Sequence, residues 1–135
     1  MLLEEIIDKK VLVRLDYNVP IEDGIILNDF RIRQTYNTLN SLLDNRNKLI
    51  IASHLGRPTE GSYDESLSLE PICKYLSGKL NKKIQFIKDI NDTIDFTNHD
   101  IAMLENVRFN IGEKKCDPKL SQTIASLADI FVFDA

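Results

Sequence analysis

A histidine, a glycine and an arginine stand close together directly after an apolar stretch of the sequence. His54, Gly56 and Arg57 follow residues 49–52, which read Leu-Ile-Ile-Ala. In parallel α/β sheets, ligands bind beyond the carboxyl ends of the strands, where glycine permits a tight turn. The planar guanidinium of arginine matches phosphate or carboxylate groups through paired hydrogen bonds. The spacing predicts a strand-end loop that holds an anionic small molecule; the alternative is a polar turn whose arginine is solvated.

Polar side chains also follow two other apolar stretches. Asp16 ends residues 11–16, Asn18 comes two positions later, and Arg108 follows residues 101–104. Because the carboxyl ends of neighbouring parallel strands lie at one edge of a sheet, we expect these groups to share a crevice with the first loop. Arginines would bind negative groups, while carboxylate and amide oxygens suit hydroxyls or orient an arginine. The sequence therefore predicts a small, polar ligand with more than one negative charge.

Five short stretches rich in apolar and β-branched residues predict five strands. They span residues 11–16, 48–52, 83–87, 101–104 and 130–133. Helical patterns between strands indicate β-α-β units with right-handed crossovers. Asp117 and Pro118 suit the start of the helix before the last strand, whereas residues 88–100 are compatible with a short helix or a loop. We predict one α/β domain: a parallel sheet with β-α-β crossovers and helices on both faces, forming an incomplete, Rossmann-like three-layer lobe.

Three stretches carry apolar residues at helical spacing. These residues are Ile32, Tyr36, Leu39 and Leu43, then Ile72, Leu76 and Leu80, then Leu120, Ile124 and Leu127. We predict that the first stretch is one continuous helix, capped by Asn28 or Asp29. Arg31 and Arg33 would lie in its first turn, where unpaired backbone N–H groups also favour anions. We expect both arginines to reach the crevice; the alternative is a pair of solvated cations.

The composition is that of a soluble globular protein. The 135 residues are 43% hydrophobic and 28% charged, with a net charge of -4 at pH 7. This charge argues against a main function on nucleic acid or an anionic membrane, and no secretory leader or membrane-spanning apolar run is visible. Cys73 and Cys116 are distant and lack metal-type spacing, which indicates reduced thiols. We therefore expect a cytoplasmic protein with neither nucleic-acid nor membrane partners.

Several other chemistries lack their usual motifs. The sequence contains no G-x-S-x-G elbow of a serine hydrolase, and neither G-x-x-x-x-G-K-[ST] nor G-x-G-x-x-G for nucleotide phosphates. His54 and His99 have no ligand-type spacing, so no metal site is predicted. Any nucleotide is expected to bind outside these residues.

A set of short motifs resembles phosphoglycerate kinase in order and spacing. They are V-R-L-D-Y-N-V-P at 13–20, R-I-R at 31–33, S-H-L-G-R-P at 53–58, S-L-E-P at 68–71, L-E-N-V-R-F at 104–109 and the closing Asp134-Ala135. The pairing of the first motif with S-H-L-G-R-P is far more specific than a single short motif. The resemblance extends from about Lys10 to Ala135.

The resemblance implies a monomeric, cytosolic enzyme of glycolysis that exchanges a phosphoryl group reversibly between ATP and 3-phosphoglycerate, giving ADP and 1,3-bisphosphoglycerate. Residues 1–135 would be part of the N-terminal, substrate-binding domain, and a C-terminal domain absent from this chain would bind Mg-ATP or Mg-ADP. The positions that match the family's substrate-binding residues are Asp16, Asn18, Arg31, His54, Arg57 and Arg108. In the family, Arg57 and Arg108 would grip the substrate phosphate, and Arg31 would be the catalytic residue that stabilises transition-state charge.

The sequence departs from the family pattern near its end. Phe133 stands where the family usually has asparagine, and the family's next segment, A-H-R, with another substrate arginine, lies beyond Ala135. A buried parallel strand is normally followed by a covering helix, so we expect the chain to be part of a longer protein. Because it lacks a nucleotide-phosphate motif, we expect it to be inactive alone. The alternatives are a noncatalytic phosphometabolite-binding α/β domain, or a truncated chain that folds poorly or self-associates because the flank of residues 130–133 lacks its covering elements.

Overall fold

A five-stranded parallel sheet forms the centre of the protein. The computed structural model describes residues 2–59, 61–110 and 118–134. In chain order the elements are β1 (Lys10–Leu15), β2 (Ile21–Glu22), β3 (Ile25–Ile26), α1 (Phe30–Arg33), α2 (Tyr36–Asp44), β4 (Lys48–Ala52), α3 (Glu70–Leu80), β5 (Ile84–Ile87), β6 (Ile101–Leu104), α4 (Pro118–Ala125) and β7 (Ile130–Asp134). The strand order is β5-β6-β4-β1-β7, and every neighbouring pair is parallel. The predicted parallel sheet is confirmed, and it places the ends of β1, β4 and β6 side by side.

Both faces of the central strands β1, β4 and β6 are largely buried, with successive side chains pointing to opposite sides, whereas Phe131 and Phe133 of the edge strand β7 are exposed. One face packs against α1, α2 and α3 through Val11, Val13, Leu15, Leu49, Ile51, Ile101 and Met103. The other face packs against α4 and the segment before β6 through Leu12, Ile50, Ala52, Ala102 and Leu104. Helices therefore flank the sheet on both sides, as the sequence predicts.

The stretch predicted as one continuous helix is two helices, so that prediction was wrong. Gln34 and Thr35 separate α1 from α2, and the backbone N–H and hydroxyl of Thr35 both donate to the carbonyl of Ile32, at 3.1 and 2.7 Å. Since that hydroxyl proton is used, the Tyr17 hydroxyl is the donor in its 2.8 Å contact with Thr35 Oγ1. Side-chain hydrogen bonds of this kind compete with regular helix bonding. A contact from the loop after β1 therefore fixes the break.

The connections between the main elements include a tight hairpin and longer segments, such as residues 53–69 and 88–100. Residues 21–26 form the β2–β3 hairpin, in which Asp23 and Gly24 have φ angles of +49° and +77°. Residues 88–100, for which a short helix or a loop was open, form turns. The α4 helix begins at Pro118 as expected, while its predicted cap, Asp117, lies outside the described residues. No helix in the described ranges has the length and apolar character needed to cross a lipid bilayer.

Cys73 is a free, buried thiol on α3, in the core between this helix and the sheet. Burial is the main cause that raises the pKa of this thiol, to about 12, and the nearby carboxylates of Glu70 and Glu105 act in the same direction. Cys73 therefore stays protonated at neutral pH, where a thiol is a poor nucleophile. Cys116, the other predicted thiol, lies outside the described residues.

Candidate functional site

Asp16, Asn18 and Arg31 form a hydrogen-bonded group at the carboxyl end of β1. Nη1 of Arg31 lies 3.2 Å from Asp16 Oδ1, 3.1 Å from Asp16 Oδ2 and 3.1 Å from the carbonyl oxygen of Asn18. The side chains of Arg31 and Asp16 are 51% and 41% exposed, so the pair adds little to stability. Its effect is to fix the direction of a guanidinium, which is one of the two roles expected for Asp16.

Gly56 joins this group to the loops that follow β4 and β6. Its N–H donates to Asn18 Oδ1 at 3.1 Å, and its carbonyl accepts from Arg108 Nη1 at 3.2 Å. Its φ angle is +63°, and a Cβ atom here would lie 2.7 Å from Cδ2 of Leu67. Glycine adopts this backbone conformation without the strain that other residues carry. One residue therefore connects the three predicted loops.

His54 and Arg57 flank Gly56 within the loop after β4. His54 is half-buried and Arg57 is exposed, whereas Arg108 is half-buried and tied to the Gly56 carbonyl. The six predicted positions thus lie at one end of the sheet, on α1 and on three adjacent strand-end loops. Hydrogen bonds link four of them, directly or through Gly56: Asp16, Asn18, Arg31 and Arg108.

A cleft of about 360 Å³ lies beside the Arg31 guanidinium. Its lining consists of Asp16, Arg31, Gln34, Thr35 and Asp134. Asp134, at the end of β7, accepts a hydrogen bond from Thr38 Oγ1 at 2.9 Å. A guanidinium beside carboxylates suits a ligand that carries both a negative group and hydroxyl donors. Sequence analysis did not assign Asp134 to the site.

A larger cleft, of about 550 Å³, lies between the β2–β3 hairpin and the start of α3. Its lining includes the carboxylates of Asp23, Glu65 and Glu70 and one cation, Lys74. Lys74 already pairs with Glu70, with Nζ 3.5 Å from Oε1. Carboxylates outnumber cations in both clefts, but the smaller one is lined by two of the predicted site residues, Asp16 and Arg31, and the larger one by none.

Buried hydroxyl groups support the site from the core side, and sequence analysis did not identify them. The Tyr17 N–H donates to Ser53 Oγ at 2.9 Å, which ties the loop after β1 to the end of β4. Burial raises the pKa of the Tyr17 hydroxyl, so this group remains a protonated donor to Thr35. A buried tyrosine normally finds a partner for its hydroxyl. The available signal was a tyrosine placed immediately after a buried strand.

Glu105 is a buried carboxylate directly after β6, with 7% of its surface exposed. Its oxygens accept from Ser68 Oγ at 2.6 Å, from the Leu69 N–H at 2.8 Å and from the Asn106 N–H at 2.8 Å. These bonds fasten the beginning of α3 to the loop that carries Arg108. The sequence shows Glu105 as part of a motif but gives no indication of this role.

Arg33 does not join the other arginines, so that prediction was wrong. Its Nε donates to Asp29 Oδ1 at 2.8 Å, and its guanidinium lies 5.7 Å from the centroid of the Phe30 ring. The Tyr75 hydroxyl also donates to Asp29, and together Tyr75 and Arg33 hold the pKa of that carboxyl below its usual value. Residues two positions apart on a helix point in different directions, so Arg31 and Arg33 diverge.

His99 belongs to the turns before β6. Its Nδ1 lies 3.0 Å from the carbonyl oxygen of Asp95, within the same turn. In the part of the chain that the structure describes, no three histidine, cysteine, aspartate or glutamate side chains are grouped to hold a metal ion. His99 therefore contributes to local turn structure and has no contact with the loops around Gly56 in the interactions observed.

The fold and these positions define a class of protein: a parallel α/β domain with arginines and a histidine gathered beyond the carboxyl ends of its strands. A sequence profile described as phosphoglycerate kinase matches residues 3–135. The chain therefore belongs to the phosphoglycerate kinase family, as its motifs indicate.

Individual relatives agree with this assignment. The chain is 53% identical over 128 residues to phosphoglycerate kinase of Francisella tularensis subsp. holarctica and 49% identical to that of Francisella philomiragia, with 95% of the chain covered in each comparison. The solved phosphoglycerate kinase of Coxiella burnetii superposes with a TM-score of 0.87 at 40% identity, and that of Pyrococcus horikoshii with 0.80 at 28%, each over 96% of the chain. The chain spans about a third of the length of these relatives, namely 33 or 34%.

Proposed function

We propose that this chain is the substrate-binding part of a phosphoglycerate kinase and that its strand-end loops bind 3-phosphoglycerate. The observation that carries the proposal is the hydrogen-bonded connection of Arg31, Asn18, Gly56 and Arg108 across three loops. As part of a complete enzyme, the chain would serve reversible phosphoryl transfer between ATP and 3-phosphoglycerate. That enzyme would be a monomer of the cytoplasm and would act in glycolysis.

The proposed roles follow from charge and geometry. Exposed Arg57 and half-buried Arg108 supply guanidiniums to the substrate phosphate, which each can bind through two hydrogen bonds. Asp16, Asn18 and His54 supply acceptors and donors for the hydroxyl and carboxylate of 3-phosphoglycerate. The chain thereby fixes the position of the acceptor carboxylate, and positioning is a large part of catalysis in phosphoryl transfer.

Arg31 is the proposed catalytic residue. Its guanidinium is oriented by Asp16 and still 51% exposed, so it is available to a group that arrives from solvent. Phosphoryl transfer spreads negative charge over the equatorial oxygens, and a positioned arginine stabilises that charge. The magnesium nucleotide supplies the transferred phosphoryl group when bound. We assign it to a second lobe, because the sequence of residues 1–135 lacks both glycine-rich phosphate-binding motifs.

The binding step predicts a saturable response to 3-phosphoglycerate. In an amide NMR titration of residues 1–135, we expect shifts centred on Asp16, Arg31, His54 and Arg108. Arg57→Ala should weaken binding by about tenfold or more, the effect of one lost charge-assisted contact. Inorganic phosphate is the control anion and should not reproduce the pattern. A folded protein that shows no specific shifts, or an undiminished response in the variant, would refute this binding site.

The catalytic step predicts that residues 1–135 alone do not transfer a phosphoryl group. With ATP, magnesium and 3-phosphoglycerate, a coupled assay for ADP formation should give no rate above that of a mock purification. The reason is that the chain fixes the acceptor but has no motif that would hold the donor nucleotide. Turnover that co-purifies with the chain and is abolished by Arg31→Ala would show this prediction to be wrong.

A further inference from the structure

Asn106 is a nearly fully buried side chain in the loop after β6, with 1% of its surface exposed. Its Nδ2 donates to two carbonyl oxygens, that of Leu55 at 2.8 Å and that of Leu67 at 3.0 Å. Its Oδ1 accepts from the backbone N–H of Arg108 at 3.1 Å. The amide therefore uses both donor hydrogens and its acceptor at once.

The three partners of this amide belong to three different segments around the site. Leu55 precedes Gly56 in the loop after β4, Leu67 ends the turn before α3, and Arg108 carries a site guanidinium. A further hydrogen bond, from Arg108 Nη1 to the Gly56 carbonyl, joins the loop after β6 to the loop after β4. Asn106 thus binds the backbone on both sides, at the Leu55 carbonyl beside Gly56 and at the N–H of Arg108. These bonds together fix the distance between the Arg108 guanidinium and the Gly56 turn.

We propose that Asn106 is a positioning residue, which sets the place of the Arg108 guanidinium relative to the loop that carries His54 and Arg57. The consequence for ligand binding rests on the proposed function, because it assumes that these groups bind 3-phosphoglycerate. The Asn106→Asp substitution would keep the size of the side chain but remove both N–H donors. It would place a carboxylate oxygen against the carbonyl oxygens of Leu55 and Leu67. The Asn106→Ala substitution would leave the same two carbonyls, and the backbone N–H of Arg108, without their present partner.

Asn47 provides a matched control at the opposite end of β4. It is 2% exposed, and its Nδ2 donates to the carbonyl oxygens of Ile6 and Leu42, both at 2.8 Å. Its Oδ1 accepts from the Lys9 N–H at 2.9 Å. Burial and hydrogen-bond number are therefore the same as at Asn106, but all partners lie away from the site. A general loss of stability should affect both asparagines alike.

The test compares Asn106→Ala and Asn106→Asp with Asn47→Ala and Asn47→Asp in the 135-residue chain. Urea unfolding should show similar losses of stability at the two positions. In titrations of the folded proteins with 3-phosphoglycerate, we expect the Asn106 variants to bind about tenfold more weakly and the Asn47 variants to bind like the unsubstituted chain. Equal affinities in both pairs, or failure of the Asn106 variants alone to fold, would overturn the proposal in favour of a structural role.

A measurement without ligand separates this inference from the proposed function. The Nε–H signal of Arg108 and the side-chain amide signal of Asn18 report the position of the guanidinium and of the Gly56 turn, because Arg108 Nη1 donates to the Gly56 carbonyl and Asn18 Oδ1 accepts from the Gly56 N–H. Both signals should move in the Asn106 variants and stay in place in the Asn47 variants. If the unsubstituted chain does not bind 3-phosphoglycerate, the proposed function fails, while unmoved signals in the Asn106 variants would refute the positioning role independently.

Discussion

Replacing Arg31 by alanine is expected to lower the phosphoryl-transfer rate of the complete enzyme by about a thousandfold. The guanidinium is already directed by Asp16 and by the carbonyl oxygen of Asn18, so little reorganisation is needed when charge develops on the transferred group. The measurement is kcat from coupled ADP formation. The complete enzyme can be obtained by joining residues 1–135 to the remaining part of the Francisella tularensis relative, which is 53% identical over the matched region.

Arg33→Ala is the matched control for this experiment. Arg33 has the same charge and lies two positions away, but it pairs with Asp29 and the Phe30 ring. We expect its removal to change kcat by less than about threefold, since surface ion pairs contribute little. Similar rate losses in both variants would mean that net charge, rather than a directed guanidinium, explains the effect of Arg31.

Replacing Glu105 by alanine should reduce the free energy of unfolding by about 3 kcal/mol, because three donors lose their charged acceptor inside the protein. These donors are the Ser68 hydroxyl and the N–H groups of Leu69 and Asn106. A loss of this size is a large share of the roughly 5–15 kcal/mol that stabilises a typical domain. Urea unfolding followed by circular dichroism measures it directly.

Glu22→Ala, on the exposed face of the β2–β3 hairpin, is the control for Glu105→Ala. It removes the same charge from solvent-exposed surface and should change stability by less than about 0.5 kcal/mol. Glu105→Gln is expected to be intermediate, since one carbonyl oxygen still accepts while the new NH₂ group faces donors. A Glu105→Ala protein as stable as Glu22→Ala would contradict the role assigned to this carboxylate.

The fold could be predicted because its central strands are largely buried on both faces. Continuous apolar runs such as residues 49–52 and 101–104 are typical of parallel strands covered by helices, and both lie in central strands. The break between α1 and α2 could not be predicted, since the apolar residues keep helical spacing across it. It depends on the contact between Tyr17 and Thr35, residues 18 positions apart, which a local pattern does not contain.

Motifs named candidate site residues, whereas contacts that depend on the fold were missed. Arg31 and Arg108 followed from motifs, and the structure places them near the ends of β1 and β6, on either side of the loop after β4. Helical spacing implies that Arg31 and Arg33 diverge, but which of the two faces the crevice depends on where α1 packs. Glu105 and Asn106 belong to a motif, but their partners in other segments, Ser68 and Leu69 for Glu105 and Leu55 and Leu67 for Asn106, lie more than 30 positions away and are brought close only by folding.

The two buried asparagines hold the chain at both ends of β4, and this has a consequence for ligand selectivity. A slip of β4 by one residue would break the bonds of Asn47 and Asn106 together and turn Ile50 towards the wrong face. These contacts therefore fix the distances between the loops that follow β1, β4 and β6. If these loops bind 3-phosphoglycerate as proposed, a ligand whose charged ends are one carbon further apart would have to be reached by a change of arginine rotamer, because the sheet fixes the backbone positions.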